Sequence, residues 1–208
     1  MNALDGQTSE DPVKLDVVDA SGRGLSLSFV WHVDRYAHTI ALVDDGRLVP
    51  LLASLEGSRD DAWPESPPLQ SLTAQEQPGG RRTILLVGMA GRNHWSLGAQ
   101  TEGGKASSGA PAIVIDVACR LNSPDGQLAS CYRSMTPAVV ERAGQIAHWD
   151  ASGRRCQIEI LAAGDVPAAV QATHDGLSIV APATAEPTPT TVRWKYRVVL
   201  VDPSDKGP

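Results

Sequence analysis

From Val192 to Leu200 the chain alternates without a break. Val192, Trp194, Tyr196, Val198 and Leu200 are apolar or aromatic, and Arg193, Lys195 and Arg197 stand between them. Successive side chains of a strand point to opposite faces, so a β-strand buries one set and wets the other. The same period of two recurs in short runs: Val13 to Val18, Leu25 to Val33, Ile113 to Leu121 and Cys156 to Leu161. Turn signals separate such runs, among them Asp19-Ala20-Ser21-Gly22, Asp44-Asp45-Gly46, Pro124-Asp125-Gly126, Ala151-Ser152-Gly153 and Asp175-Gly176. About a dozen short strands result, with at most one or two short helices. The fold class is therefore all-β, an antiparallel β-sandwich or an open barrel. An α/β fold is disfavoured, because parallel strands need crossovers and almost no helix is present to make them.

Length and punctuation divide the chain further. Its 208 residues suffice for one core that buries roughly 70% of the extended-chain surface. Residues 1–12 are polar and predict a flexible N-terminus, followed by a single β-rich domain over 13–208. Residues 56–82 read as a Pro-rich insertion, with a short helix from Leu69 to Glu76 inside it. The unbroken apolar run Thr83 to Val87 predicts a buried central strand. Thr136-Pro137 starts either a short helix through Arg142 or an irregular stretch. Residues 181–191 form a Pro/Thr-rich connection into the last strand.

Composition excludes some functions. A net charge of −6 argues against a nucleic-acid or anionic-membrane partner. Cys119, Cys131 and Cys156 lack CxxC spacing and are odd in number, which speaks against a disulfide framework and for a reducing, cytoplasmic location. The first residues carry no basic region with an apolar core, so no secretory signal is read there. No apolar run approaches the ~20 residues of a membrane span.

The densest group of reactive residue types is Trp31-His32-Val33-Asp34-Arg35-Tyr36-Ala37-His38. Before it the apolar positions are odd (Leu25, Leu27, Phe29); after it they are even (Ile40, Leu42). One face has been exchanged for the other, and a bulge or a turn near Val33 to Tyr36 must absorb the slip. An unbroken strand would put His32, Asp34, Tyr36 and His38 on one face, where imidazoles beside a carboxylate suit general acid–base work or the start of a metal site. A solvated outer face or a polar turn gives the same residues with no function, and the slip itself would separate them.

Other features are weaker. Trp31-His32, His94-Trp95 and His148-Trp149 pair a Trp with a His, which converge on one groove only if their strands are neighbours. Val87 to His94 runs into the Gly-rich stretch Gly88-Met89-Ala90-Gly91 beside Arg92; it lacks a phosphate loop's Lys-Ser/Thr, so a hairpin turn is the preferred reading. Cys119 and Cys131 fall on the two strands of one expected hairpin through Pro124-Asp125-Gly126; metal ligation with His94 or His32 is the weaker reading, because Cys119 sits in an apolar alternation as a small core residue. Glu56, Asp60 and Asp61 lack the alternating oxygens of a Ca²⁺ loop. No GxSxG or HExxH is present. Arg193, Lys195 and Arg197 form a basic stripe that guards an exposed sheet face or meets an acidic partner.

The function expected is a soluble binding or assembly module for a protein partner or a small polar ligand. No cofactor, metal, nucleic acid or membrane is expected, and a homo-oligomer is compatible. The alternative is a small enzyme with a His/Asp-based site around residues 32–38 and 92–94, using His32, Asp34, His38, Arg92 and His94, with Tyr36 and Arg35 as binding candidates. The enzyme needs these side chains in one cleft; the binding module needs a concavity lined by Trp or Arg.

Overall fold

The structure, a computed structural model, describes residues 11–77, 82–106, 109–123, 126–136, 140–143, 146–151, 154–184 and 187–201. Its strands are β1 (Val13–Val18), β2 (Gly24–His32), β3 (Arg35–Asp44), β4 (Arg47–Ser54), β5 (Ser71–Glu76), β6 (Arg82–Ala90), β7 (Asn93–Glu102) and β8 (Ala112–Leu121). They continue as β9 (Ala129–Ser134), β10 (Val140–Ala143), β11 (Ile146–Ala151), β12 (Arg154–Leu161), β13 (Ala169–Ala172), β14 (Gly176–Val180) and β15 (Thr190–Val201). Among the described residues the only helix is a single 3₁₀ turn, Gly104–Ala106. None is long and apolar enough to cross a membrane.

The strands form two antiparallel sheets that do not close into a barrel. The first has seven strands in the order β1-β2-β3-β4-β9-β14-β13; the second has eight, β10-β11-β12-β15-β8-β7-β6-β5. The expected all-β sandwich is present. Its core is one apolar cluster from the two facing sides: Leu25, Leu27, Phe29, Ile40 and Leu42 meet Leu97, Ile113, Ile115, Val117, Trp194 and Val198. Each such side chain contributes about 1.5–3 kcal/mol on burial. β15 behaves as its alternation dictates: Val192, Trp194, Tyr196, Val198 and Leu200 are buried. On its outer side Arg193 donates from Nε to Asp116 Oδ1 at 2.7 Å, and Arg197 from Nε to Glu159 Oε2 at 2.5 Å. The two arginines of the basic stripe are thus paired with neighbours on the same face.

Four expectations are corrected. Leu69 to Glu76 is not helical; Ser71–Glu76 is the edge strand β5, held by the ladder to β6. β6 is not a doubly buried strand. It lies one place from the sheet edge, and Leu85, Val87 and Met89 on its outer side are exposed. Cys119 and Cys131 do not share a hairpin, because β8 and β9 belong to opposite sheets and the chain between them crosses the sandwich. A turn signal marks a reversal; whether the flanking strands pair or arch depends on which sheet buries each inner face. The helix read from Thr136 is replaced by strand β10 from Val140 to Ala143, and residues 137–139 lie outside the described residues.

Residues 55–70 form the link that positions the site. They leave β4, cross one end of the sandwich and enter β5. Leu55 N donates to Cys131 O at 2.9 Å, and Ser66 Oγ both accepts from Cys131 N and donates to Cys131 O at 3.0 Å. Ser66 thereby satisfies the backbone of β9 where β4 no longer reaches it. Tyr36 N donates to Leu69 O at 2.7 Å and Gln70 N to Val87 O at 2.8 Å, which ties the link to both sheets. Within the link Pro64, Ser66, Pro67, Pro68 and Leu69 are buried.

Candidate ligand-binding groove

The slip at 31–38 is a hairpin turn. β2 and β3 pair with Phe29 opposite His38 and His32 opposite Arg35, so odd residues of one strand share a face with even residues of the other. Val33 and Asp34 make the reversal, with Asp34 N donating to His32 O at 2.8 Å. Val33 has φ of 60° and is 79% exposed. A β-branched residue is rarely found there, so the tip is a locally strained one.

The turn scatters the expected stripe. His32 is exposed, and its side chain makes no hydrogen bond or ion pair among the described residues. Asp34 is joined to Arg35, whose Nε and Nη2 donate to its two carboxylate oxygens at 2.9 and 3.1 Å. This pair holds the Asp34 carboxyl below its usual pKa, the hydrogen bond from Arg35 being the largest cause. Arg35 is 3% exposed and also donates to Ser58 O at 3.0 Å, anchoring the 55–70 link. Tyr36 packs edge-on against Trp31. Arg92 and His94 are exposed at the β6–β7 hairpin, whose two-residue turn is Gly91-Arg92, as the preferred reading had it. Among the described residues no side-chain hydrogen bond or ion pair joins His32, His38, Arg92 and His94 to one another. The strands that carry the three Trp–His pairs, β2, β7 and β11, are not neighbours in either sheet. Trp95 is buried beside Trp194, whereas Trp31 is exposed at the tip; the side chain of Trp149 lies outside the described residues.

His38 points inward, into a polar chain that crosses the sandwich. Its Nε2 meets Tyr132 Oη at 2.8 Å, and Tyr132 Oη meets Tyr196 Oη at 2.5 Å. Tyr196 bonds Ser130, whose Oγ accepts from Trp194 Nε1 at 3.1 Å. Burial lowers the His38 pKa to about 4 and pushes the Tyr196 hydroxyl up to about 12, so both are neutral near pH 7. The backbone N–H of His38 donates to Ser54 Oγ at 2.8 Å, and Ser54 Oγ donates to Glu56 Oε1 at 2.5 Å. Burial raises the Glu56 pKa to about 7, against the opposing Ser54 hydrogen bond and Arg35 charge. His38 Nδ1, Arg35 Nη1 and Glu56 Oε2 are buried and have no partner. All of this lies inside the fold, and most of its polar atoms are bonded to one another, which is the chemistry of a structural network with three atoms left over.

A concavity of about 300 Å³ opens instead on the outer face of the seven-stranded sheet. Period-two alternation places it there: Ser130 and Tyr132 face the core, so Ala129 and Cys131 face out; Leu177 and Ile179 face in, so Ser178 and Val180 face out. Gln171 lies opposite Ser178 in the β13–β14 ladder. Trp63, Pro64 and Glu65 of the link make one wall, and Gln127 another. The hairpin is tipped by His174-Asp175, one residue earlier than its Asp175-Gly176 signal. Gly176 opens β14, because a Cβ there would stand 2.0 Å from Tyr132 O. Gly126, at φ 117°, lies against the Trp63 indole, where a Cβ would stand 2.1 Å from Cδ2. The backbone at residue 126 thus packs directly against the ring.

The groove differs from the buried chain in one respect. Glu65, Gln127 and Gln171 are exposed and have no hydrogen-bond partner among the described residues. Ser178 Oγ donates to Cys131 Sγ at 3.2 Å. Burial is the main reason the Cys131 thiol pKa is raised, and Glu65 adds to it, so the thiol is not an activated nucleophile. Among the described residues no cluster of His, Cys, Asp and Glu could hold a metal. Sequence reasoning missed this site because Trp63 neighbours no His and sits in an irregular Pro-rich stretch. The available signal was an aromatic side chain with no strand periodicity around it to bury it. No known family model, curated protein or solved structure matches this chain.

Proposed function

We propose that the protein is a non-catalytic binding module that takes a small polar ligand in the groove walled by Trp63. The observation that carries this reading is a concavity beside an indole in which Glu65, Gln127 and Gln171 keep their hydrogen-bonding groups unspent. Its volume of about 300 Å³ is at the lower end for ligand pockets, roughly 300–1,000 Å³. The enzyme reading around residues 32–38 and 92–94 has less support: its imidazoles are either exposed and isolated or buried and neutral. No disulfide joins Cys119, Cys131 and Cys156, which supports a reducing, cytoplasmic setting.

The test is a ligand-observed NMR screen of a small-molecule library, repeated on Trp63→Ala. Hits that lose their signal with the variant support the reading. Hits that persist unchanged, or that compete with one another at the 31–38 hairpin, defeat it.

A further inference from the structure

We infer that the groove takes a neutral saccharide, its ring laid against Trp63 and its hydroxyls held by Gln127, Gln171 and Glu65; this rests on the groove being the ligand site. A pyranose has a face of C–H groups and a rim of hydroxyls. The groove offers the complement of both. Trp63 is a flat apolar wall, and Pro64, Ala129 and Val180 add apolar surface beside it. Gly126 covers part of the indole and lines the neighbouring depression rather than this one, so the groove opens on the part of the ring that Gly126 leaves bare. A side chain at 126 would displace the ring, and the missing Cβ is what allows the backbone to pack against it.

The polar lining narrows the ligand further. Each primary amide presents both donors and an acceptor, and a sugar hydroxyl is both donor and acceptor. Ser178 spends its proton on Cys131 Sγ and keeps oxygen lone pairs to accept another. The carboxylate of Glu65 accepts from hydroxyls and repels an anion, and no Lys or Arg lines the groove. Phosphorylated or carboxylated ligands are therefore excluded by charge. A quaternary ammonium ion is held best by several aromatic faces, whereas Trp63 is the one aromatic residue in the lining.

The experiment uses the full chain, ¹⁵N-labelled, titrated with glucose, galactose, mannose, N-acetylglucosamine, maltose and cellobiose, and in parallel with choline and adenosine. At least one saccharide is expected to move the Trp63 indole and the Gln127 and Gln171 side-chain amide signals. Gln171→Ala, an exposed change that leaves the fold alone, is expected to weaken that saccharide by roughly tenfold, and Trp63→Ala to abolish the shifts. If choline or adenosine moves these signals and no saccharide does, the saccharide inference is overturned while the groove stands. If no probe moves them, the saccharide inference is overturned, and the library screen separately decides the groove.

Discussion

The chain from Trp194 to His38 and the groove beside Trp63 lie on opposite sides of the same strand. Ser130 and Tyr132 of β9 face the core; Ala129 and Cys131 face the groove. The inner side holds the residue types associated with catalysis, an imidazole and two phenols, with Glu56 nearby, and most of their polar atoms are spent on one another. The outer side holds amides, a thiol and one carboxylate, which are chemically milder, and three of its side chains are unspent. Reactive residue type thus did not locate the candidate site. Unpaired polar groups around a concavity did. A buried polar group is expensive unless it is bonded, so the fold pairs most such groups with one another; an exposed one next to an aromatic wall is available for a ligand.

The largest effect is expected where the inner chain is cut. Tyr132→Phe leaves His38 Nε2 and the Tyr196 hydroxyl without a shared partner, and stranding buried groups of this kind costs about 1–3 kcal/mol each. Urea unfolding of the variant will show it as a lower midpoint. Unchanged stability would mean that the chain is not a structural network.

Next in size are two pH effects of opposite sign. Glu56 has its folded pKa raised to about 7 from 4.5. The folded state therefore holds its proton where the unfolded chain has released it. This contribution to stability is full below 4.5 and lost as pH rises to about 7. Glu56→Gln, neutral and of the same shape, should be more stable than the parent at pH 8, with the difference shrinking towards pH 4.5. His38 acts the other way. Its folded pKa is about 4 against 6.5, so stability is full above 6.5 and is lost as pH falls towards 4. His38→Gln should flatten the acid limb of the stability profile. An unaltered limb would show that His38 is not the group responsible.

Legibility from sequence followed burial. β15 was readable residue by residue, because a strand with one face on the core must show period two. The slip between Phe29 and Ile40 was readable as a turn or bulge, and the turn at Val33-Asp34 is its cause. β5 was not, since Ser71, Thr73 and Gln75 are polar and exposed, and no buried face imposes a period on the strand. The crossing from β8 to β9 was not, because the Pro-Asp-Gly signal is local and sheet membership is not. The groove was not, because its wall is an irregular segment and its floor is the solvent side of strands recognised by their other side.

The smallest effects are expected on the outer side and at the hairpin tips. Gln171→Ala and Glu65→Gln should shift stability by no more than about 0.5 kcal/mol. His32→Ala and His94→Ala should do no more than that and should leave ligand binding untouched, as seen by thermal denaturation with and without a hit from the screen. A loss of binding in either His variant would return the site to the 31–38 and 92–94 regions.

The central claim is that the outer face of β9, not the 31–38 hairpin, is where a ligand meets this protein. Chemical-shift mapping of the first confirmed ligand on the ¹⁵N-labelled chain tests it most directly. The account predicts shifts at Trp63, Glu65, Gln127, Gln171 and Ser178, with His32 and His94 still. Shifts gathered at Trp31 to Tyr36 and at Arg92 to His94, with Trp63 unmoved, would contradict it.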